Sequence, residues 1–461
     1  MTLIKSISGI RGTIGGAPGN GLTPVDTVKF AAAYGSWLKN RNNNQKVTVV
    51  IGRDARISGP MVSSLVVGTL QGLGIDVIDL GLSTTPTVEV AVPIEKAQGG
   101  IILTASHNPI QWNALKLLNE KGEFISAEDG AEVLNIAEKE DFDFAEVLEL
   151  GKVSENNKYL AKHTELILDL PLVDVEAVKS AKFKVVIDCV NSTGGIYLPY
   201  LLEKLGVEVI KLYCDPTGEF PHNPEPLPEN LTAISEALKI ENADLGFVVD
   251  PDVDRLAMVC EDGSMFGEEY TLVAVADYVV SQTPGNTVSN MSSTRALRDV
   301  TEKHGGTYSA SAVGEVNVVN KMKEVNAVIG GEGNGGIIYP ELHYGRDALV
   351  GIALFLTHLA KKGMKCSELK ASYPDYTISK NKIQLTPAID VDDLLVKMKN
   401  KYKDQPVNDA DGVKIEFGKE WVHLRKSNTE PIIRIYSESS DENKANDLAK
   451  KIITEIEEII A

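Results

Sequence analysis

The chain has 461 residues, and its 46 Lys and Arg against 65 Asp and Glu give a formal net charge of −19. An apolar fraction of 43% and a charged fraction of 24% are typical of a globular protein and exclude a disordered or fibrous chain. The acidic excess argues against a broad nucleic-acid interface and against docking on an anionic membrane, because both need clustered cations. At roughly 100–200 residues per domain, the length predicts about three domains.

The sequence gives no sign of export, membrane insertion or a zinc enzyme. The first residues lack the apolar core and cleavage site of a signal peptide, and apolar runs such as 101–103 are far too short to span a bilayer. Four scattered cysteines form no C-x-x-C pair, and the seven histidines show no H-x-H or H-E-x-x-H spacing. We therefore expect a cytoplasmic protein with reduced thiols and no catalytic zinc.

A strand–turn–helix–strand pattern recurs three times, with variation, in the order that is typical of a βαβ unit. The three copies are residues 47–81, 183–213 and 287–313. In the first copy Ser58 is a candidate helix cap, followed by the helix-entry residue Pro60. The pattern predicts three related α/β domains with mixed, mostly parallel sheets.

The C-terminal part has a different pattern. From about Pro374 it shows short, hairpin-like strands, a Lys-rich helix near Val391–Tyr402, and a last helix capped at Ser439–Asp441. We expect a smaller α+β domain here, and so four domains in all. Their predicted bounds are 1–150, 151–254, 255–370 and 371–461.

The segment GGIILTASHNP, residues 99–109, runs from an apolar strand into a polar cluster. Pro109 prevents a smooth helical continuation, so we expect Ser106 and His107 on a fixed loop at a strand's carboxyl end, where open α/β sheets place ligands. A Ser beside a His is a candidate nucleophile or phosphate carrier. The alternative is an ordinary hydrogen-bonded turn.

The segment ADLGFVVDPDVDRLAMV, residues 243–259, carries Asp250, Asp252 and Asp254 directly after a strand. We expect extended backbone that displays the three carboxylates on one side. They repel one another unless a cation neutralises them, and hard oxygen ligands favour Mg²⁺. The alternative is an acidic surface turn.

The segment VIGGEGNGGIIYP, residues 328–340, is a glycine-rich loop. Its glycines allow close approach of a ligand, and Glu332 and Asn334 are suited to hydroxyl groups. The spacing is not that of a dinucleotide-binding loop, and a plain glycine loop is the alternative.

The segment HLRKSNTEPIIRIY, residues 423–436, concentrates cations and hydroxyl donors around a turn in an otherwise acidic chain. Arg forks and hydroxyls are suited to phosphate oxygens, whereas a charged hairpin loop is the alternative. The candidate phosphate-binding side chains are Arg425, Lys426, Ser427, Asn428, Thr429 and Arg434.

Several isolated cations are weaker candidates, since each could be a surface charge. Among them Arg11 stands between glycines, in a segment with few other polar groups. The others are Arg53, Arg56 and Lys116.

Together the motifs resemble the α-D-phosphohexomutase family, which includes phosphoglucomutases, phosphomannomutases and phosphoglucosamine mutases. GIRG, GRDARISG, TASHNP, DPDVDR, GEGNGG and RKSNTEP occur in the family's order over nearly the whole chain. The resemblance implies four domains around a central cleft. It also implies a small-molecule sugar phosphate as partner, Mg²⁺ as cofactor and a hexose 1,6-bisphosphate as intermediate or activator.

The resemblance assigns roles to matching residues. Phosphorylated Ser106 would hold Mg²⁺ together with Asp250, Asp252 and Asp254. Glu332 and Asn334 would bind sugar hydroxyls, while the groups gripping the non-reacting phosphate would be Arg425, Ser427, Asn428, Thr429 and Arg434. The residues near the reacting group would be Arg11, His107, Lys116 and Arg255, with the choice of base between Lys116 and His107 open.

One departure from the family concerns the sugar loop, which in many bacterial members carries Ser-Gly-His. Here Asn334, Gly335 and Gly336 stand instead, so no histidine role passes to Gly336, and His343 is a conjectural substitute. The loop form resembles a branch that includes phosphoglucosamine mutases, so glucosamine phosphate is the expected substrate, with glucose or mannose phosphates as the alternative. A Mg²⁺-dependent phosphatase and a non-catalytic sugar-phosphate binding protein are the rivals from other classes, and we expect a monomer or homodimer.

Overall fold

The computed structural model describes residues 2–6, 9–43, 45–384, 389–426 and 432–460. It divides into two compact units. The first unit comprises Met1–Thr271 and Gly335–Ser367, and the second comprises Leu272–Asn334 and Glu368–Ala461.

Strands and helices alternate through most of the described chain. The strands are β1 (Ile4–Ser6), β2 (Gly9–Thr13), β3 (Thr48–Arg53), β4 (Asp76–Leu82), β5 (Gly99–Leu103), β6 (Trp112–Leu118), β7 (Val153–Glu155), β8 (Lys184–Asp188), β9 (Glu208–Leu212), β10 (Leu245–Val249), β11 (Leu256–Cys260), β12 (Asn286–Asn290), β13 (Tyr308–Ser311), β14 (Ala327–Glu332), β15 (Gly336–Ile338), β16 (Thr377–Gln384), β17 (Val407–Asn408), β18 (Val413–Phe417), β19 (Glu420–Lys426) and β20 (Ile432–Ser439). The helices are α1 (Pro24–Arg41), α2 (Gly59–Gly72), α3 (Thr85–Ile94), α4 (Ala127–Lys139), α5 (Tyr159–Leu168), α6 (Val175–Ala181), α7 (Gly194–Lys204), α8 (Thr232–Glu241), α9 (Glu268–Gln282), α10 (Ala296–Lys303), α11 (Glu315–Val325), α12 (Ala348–Lys362), α13 (Cys366–Ala371), α14 (Val391–Lys401) and α15 (Glu442–Ile460).

The first sheet of the first unit has the strand order β1-β2-β6-β5-β3-β4-β7. Strand β3 is parallel to β4 and β5, and α2 connects β3 to β4, which confirms the first predicted βαβ unit. Strand β5 is buried at every position, as expected of an apolar strand covered on both faces. Its carboxyl end leads directly into the Ser106 loop.

The second sheet of the first unit has the order β11-β10-β8-β9. Strands β8 and β9 are parallel and flank α7 in the chain, so the second βαβ unit is also confirmed. Strands β10 and β11 pair antiparallel, and the aspartate segment is the connection between them.

Helix α12 completes the first unit. It is buried from Ala348 to Leu359, as expected of a helix that is apolar on all sides. Asp347 caps its first turn by accepting hydrogen bonds from the backbone N–H groups of Leu349 and Val350.

In the second unit, β12 is parallel to β13 and to β14, which confirms the third βαβ unit. The C-terminal sheet is antiparallel, with the order β16-β20-β19-β18-β17. Leu394 of α14 and Ile452 of α15 pack in its apolar core. Asp441 accepts a hydrogen bond from Lys444 N at the start of α15, so the predicted cap is confirmed.

Two local expectations are wrong. Ser58 has helical φ and ψ and caps nothing with its side chain; its Oγ instead accepts a hydrogen bond from Asn113 Nδ2. The aspartate segment is a turn rather than extended backbone, since Val253 has φ +63° and its N–H bonds to the Asp250 carbonyl.

Four sheets confirm the predicted class of three α/β domains with mixed sheets plus a C-terminal α+β domain. The exact domain bounds and the central cleft stay predictions. Among the described residues, no helix combines the length and apolar character needed to cross a membrane.

Candidate active site

Ser106 lies on the loop after β5, as predicted. It is 7% exposed and has φ +50°, a left-handed conformation that is costly for a residue with a side chain and is often found at functional sites. Its Oγ donates to Asp250 Oδ2 at 2.6 Å and lies 3.4 Å from His107 Nδ1. The structure therefore brings the predicted nucleophile to the predicted metal loop.

A buried arginine holds the Ser106 loop in shape. Arg56 is fully buried and pairs with Asp54 at 3.0 Å, which in turn accepts from Thr104 Oγ1 at 2.6 Å. The Arg56 guanidinium donates to four loop carbonyls at 2.5–3.0 Å, those of Ser106, Asn108, Pro109 and Trp112. The interpretation of Arg56 as a possible surface charge is thus wrong, because the loop carbonyls need a buried multidentate donor.

Asp250, Asp252 and Asp254 are all fully buried, and one oxygen of each lies within 4.8 Å of the others. Burial, then the charges of Asp252 and Asp254, raise the pKa of Asp250 well above its ordinary value. The acidic surface turn is therefore excluded. A buried site with this much negative charge favours a bound cation.

The hydrogen bonding of two carboxylate oxygens shows whether the triad is suited to a metal ion. Asp252 Oδ1 and Asp254 Oδ1 are buried and accept no hydrogen bond from any described group, whereas the other oxygen of each accepts side-chain donors. Buried oxygens of this kind are unfavourable without a partner. Together with Asp250 they form an all-oxygen ligand set, which is suited to a hard divalent cation such as Mg²⁺.

Two cations stand behind the triad. Lys116, on β6, lies 2.7 Å from Asp252 Oδ2 and 3.2 Å from Asp254 Oδ2, and Arg346 Nη2 lies 2.7 Å from Asp254 Oδ2. Burial opposes ionisation of Asp254, but Arg346 and Lys116 hold the pKa of its carboxyl well below the ordinary value. Burial also lowers the pKa of Lys116, yet the charges of Asp252 and Asp254 raise it overall.

Three other predicted groups, Arg11, His107 and Arg255, lie close enough to shift one another's ionisation. Burial and the neighbouring Arg255 lower the pKa of Arg11, and burial and the same Arg255 lower the pKa of His107 well below its ordinary value. The Nε atoms of Arg11 and Arg255 are buried and donate no hydrogen bond within the described structure. Buried guanidinium nitrogens of this kind are suited to an anionic ligand.

In the second unit, Glu332 ends β14 and is 4% exposed. Its Oε1 accepts from Asn290 Nδ2 at 2.8 Å and from Gly314 N at 3.1 Å. Asn334 follows in the same loop and is half-buried. The carboxylate is thus fixed in place by two donors.

Arg425 belongs to the same hydrogen-bond network as Glu332. Its Nε donates to Asp411 Oδ2 at 2.7 Å, and that oxygen also accepts from Val313 N at 3.0 Å, next to Gly314. Backbone residues 313 and 314 therefore connect the candidate sugar-binding carboxylate to the candidate phosphate-binding arginine within one unit.

Strand pairing places three cationic residues side by side, next to the candidate phosphate-binding segment 423–436. Arg425 of β19 is directly opposite Arg434 of β20, which is opposite Lys382 of β16. Like charges directly opposite one another on a sheet are destabilising, so this row favours a bound anion. Ser427, Asn428 and Thr429 lie outside the described residues.

Sequence reasoning missed several contributors because their partners are distant in the chain. Thr85 donates to Asp252 Oδ2 at 2.5 Å. The alternating charges of GRDAR, within an otherwise apolar stretch of sequence, could have indicated that Asp54 and Arg56 form a buried pair. No local signal marked Thr85, Asn290, Asp411 or Arg346.

Comparisons with known proteins identify the relatives of this chain. Four domain families of phosphoglucomutase/phosphomannomutase match in order: alpha/beta/alpha domain I at residues 3–144, domain II at 157–263, domain III at 267–376 and the C-terminal domain at 385–455. A phosphoglucomutase/phosphomannomutase of Thermococcus kodakarensis is 36% identical over 97% of this chain and 98% of its own length. A phosphoglucosamine/phosphogalactosamine mutase of Sulfurisphaera tokodaii is 31% identical over 98% of both chains.

A solved structure extends the likeness to the whole fold. The phosphoglucomutase/phosphomannomutase family protein from Burkholderia thailandensis superposes with a TM-score of 0.84 at 26% identity, covering 99% of this chain and 98% of that one. With four domain families matched in order and relatives above 30% identity along nearly the full length, this chain belongs to the phosphoglucomutase/phosphomannomutase family of phosphohexomutases, which are isomerases.

Proposed function

We propose that this protein interconverts a hexose 6-phosphate and the corresponding hexose 1-phosphate through phosphorylated Ser106, with glucosamine phosphate as its preferred substrate. The observation that carries the proposal is the 2.6 Å contact between Ser106 Oγ and Asp250 Oδ2. It joins a nucleophile to a metal-type carboxylate cluster, as phosphoryl transfer requires.

In the first half-reaction the Oγ–P bond of phospho-Ser106 breaks, and the free hydroxyl of the bound sugar phosphate forms the new O–P bond. The hydroxyl proton passes to a base, and the product is a hexose 1,6-bisphosphate. In the second half-reaction Ser106 takes the other phosphoryl group, after the bisphosphate has turned over in the site. No group is consumed overall, as an isomerisation demands.

Asp250, Asp252 and Asp254 would hold Mg²⁺ together with the phosphate on Ser106, and the ion would offset charge on the transferring group. Arg11 and Arg255, whose Nε atoms lack hydrogen-bond partners in the described structure, would bind the equatorial oxygens of that group. Positioning and charge supply most of the rate enhancement in such reactions.

The proton acceptor is His107 or Lys116. His107 is close to Ser106 Oγ, and its lowered pKa keeps the ring neutral and able to accept a proton. Lys116 is held charged by Asp252 and Asp254 while burial favours its neutral form. A group that neutralises those two carboxylates would lower the pKa of Lys116 and so make its neutral, proton-accepting form more populated. Both candidates therefore stand.

Substrate binding falls to the second unit. Arg425, Ser427, Asn428, Thr429 and Arg434 would grip the non-reacting phosphate, a role supported by the cross-strand pairing of the two arginines. Because either phosphate of the intermediate must occupy this position in turn, Arg425 acts in both half-reactions. Glu332 and Asn334 would bind sugar hydroxyls.

Glucosamine phosphate is favoured because the buried Glu332 carboxylate can pair with a 2-ammonium group. The relative from Sulfurisphaera tokodaii is named for amino sugars. Glucose or mannose phosphate is the second candidate, since the relative from Thermococcus kodakarensis is named for those sugars.

A phosphatase using an aspartate nucleophile is disfavoured, because Asp250 already accepts the Ser106 hydroxyl and the phosphatase would leave the Ser106 loop without a role. A binding protein would need no serine against the metal cluster. A cytoplasmic location and a monomer or homodimer remain predictions of the proposal.

A coupled assay with glucosamine, glucose, mannose and N-acetylglucosamine phosphates tests the proposal. We expect the highest kcat/KM with glucosamine 6-phosphate and loss of all mutase activity in Ser106→Ala. Ser64→Ala, on the exposed face of α2, is the matched control and should keep full activity. Full activity of Ser106→Ala would contradict the phosphoserine mechanism, and preference for another sugar would contradict only the substrate assignment.

A further inference from the structure

A second cluster of metal-type ligands lies in the first unit, apart from the aspartate triad. It consists of His163 on α5, His343 in the segment before α12, and Asp347, the cap of α12. One ligand atom of each lies within 4.8 Å of the others. His163 and Asp347 are fully buried, and the His343 side chain is 10% exposed.

Both imidazole rings direct the same nitrogen at one carboxylate oxygen. His163 Nε2 is 3.0 Å from Asp347 Oδ2, and His343 Nε2 is 3.4 Å from the same atom. With bonds of ~2.0–2.2 Å, two ligand atoms of a tetrahedral zinc ion stand ~3.3–3.6 Å apart. Both nitrogen–oxygen distances are therefore near the spacing of ligands bound to one ion, and all three ligand atoms lie within 4.8 Å of one another.

Each ring has a polar side chain next to its other nitrogen. His163 Nδ1 bonds to Thr87 Oγ1 at 2.9 Å, and His343 Nδ1 faces Glu89 Oε2 at 3.4 Å. Hydroxyl and carboxylate partners of this kind orient metal-binding imidazoles and raise their basicity. Asp347 Oδ1 is occupied by the backbone of α12, which directs Oδ2 at the two rings.

His343 Nδ1 supplies an independent indication. It is buried and makes no hydrogen bond to any described group, although a carboxylate oxygen faces it. When Nε2 binds a metal, the Nδ1–H tautomer is imposed, and this nitrogen then donates toward Glu89.

We propose that His163, His343 and Asp347 bind a first-row divalent transition metal ion, with Zn²⁺ as the representative, and that a solvent molecule completes the tetrahedron beside the partly exposed His343. Two imidazoles and one carboxylate favour Zn²⁺ over Mg²⁺. The protein then has two metal sites of different chemistry, since the aspartate triad is all oxygen.

The site would connect three segments that are distant in the sequence, namely α3, α5 and residues 343–347. Helix α3, which carries Thr87 and Glu89, begins with Thr85, whose Oγ1 donates to Asp252. Asp347 follows Arg346, which contacts Asp254. The metal therefore acts as a structural cross-link that positions both contacts, and it touches no reacting atom.

No motif in the sequence marks this site, because 184 positions separate His163 from Asp347. A search for short histidine spacings finds only sites built on one element. The expectation of no catalytic zinc stands apart from this proposal, since the cluster is assigned a structural ion.

The experiment is a titration of metal-free full-length protein with Co²⁺ in excess Mg²⁺, read by visible absorption, because four-coordinate Co²⁺ absorbs far more strongly than six-coordinate Co²⁺. We expect one equivalent of tetrahedral Co²⁺, displaced by Zn²⁺, in the wild type and in Asp252→Asn. Glu89→Gln should weaken Zn²⁺ binding by about 10–100-fold, and His343→Gln should abolish it.

His222→Gln is the matched control, because it removes a separate His–Asp hydrogen bond of 3.0 Å and should leave Co²⁺ binding unchanged. His163→Gln serves as the second variant if His343→Gln does not fold. Absence of the tetrahedral Co²⁺ band in the wild type would overturn the proposal. So would a band that is lost in Asp252→Asn but kept in a folded histidine variant. In either case the three side chains form a hydrogen-bonded cluster without a metal. Neither result bears on the phosphoserine mechanism, which the sugar-phosphate assay with Ser106→Ala tests separately.

Discussion

The two units place their candidate functional groups by different physical means. In the first unit, full charges meet in a buried site: three aspartates face Lys116 and Arg346. In the second unit, Glu332 is fixed by an amide and a backbone N–H. Cations therefore hold the carboxylates of the first unit, whereas neutral donors hold Glu332 Oε1 in the second.

His423 is a neutral member of the network around Asp411. Its Nε2 donates to the Asp411 carbonyl at 2.7 Å, and its Nδ1 lies 3.0 Å from Ser292 Oγ. Since Nε2 carries the hydrogen, Nδ1 accepts from the serine. The ring therefore links Asp411 to Ser292 without a charge.

Replacing a carboxylate of the first unit should have the largest effect. We expect Asp252→Ala to lower Mg²⁺-dependent kcat by about 10³-fold or more, because a metal oxygen is lost and Lys116 loses its closest partner. Asp262→Ala, at an exposed position after β11, is the control. Unchanged turnover in a folded Asp252→Ala protein would contradict the metal assignment.

Acid should destabilise the second unit through His423. Burial lowers the pKa of His423 to about 4, whereas an unfolded histidine titrates near 6.5, so the unfolded chain binds more protons between these values. The unfolding free energy should fall by about 3 kcal/mol as the pH drops from about 7 to about 4. Urea denaturation at both pH values should show this loss in the wild type and a smaller one in His423→Gln. Equal losses would contradict a neutral His423 in the folded protein.

Removing the arginine behind the metal loop should have an effect of intermediate size. Arg346→Ala should lower kcat by about 10²-fold with little change in sugar KM, since Asp254 loses an ion pair of 2.7 Å. Arg346→Lys should restore part of the loss if charge is what matters. Arg298→Gln, which removes a surface ion pair, is the control, and a loss confined to KM would contradict the positioning role.

The sugar-binding carboxylate should give the smallest effect and the most selective one. Glu332→Gln should raise KM for glucosamine 6-phosphate by about tenfold relative to glucose 6-phosphate, or about 1.4 kcal/mol, because only the amino sugar loses an ionic partner. Glu341→Gln, an exposed carboxylate, is the control. An equal change for both sugars would indicate that Glu332 binds hydroxyls alone.

Sequence alone predicted the elements whose signal is local. The βαβ units, the Ser106 loop and the aspartate loop follow from apolar runs that end in polar residues. It misjudged the shape of the aspartate loop, because the left-handed conformation of Val253 belongs to a residue type that favours extended backbone. It also treated Arg56 as a possible surface charge, because the carbonyls it binds come together only when the loop folds.

Contacts between distant segments could not be predicted. Arg346 reaches Asp254 across 92 positions, and Asp411 joins Val313 across 98. Neither pairing has a periodic pattern or a short motif, since each depends on how separate elements pack.

The fate of the phosphoryl group on Ser106 tests the central claim most directly. Protein carrying radiolabelled phosphate on Ser106 is mixed with unlabelled glucosamine 6-phosphate and quenched within one turnover. We predict that the label appears first in a hexosamine 1,6-bisphosphate and that none appears in Ser106→Ala. Label released directly as inorganic phosphate, without the bisphosphate, would contradict the mutase mechanism and indicate a phosphatase.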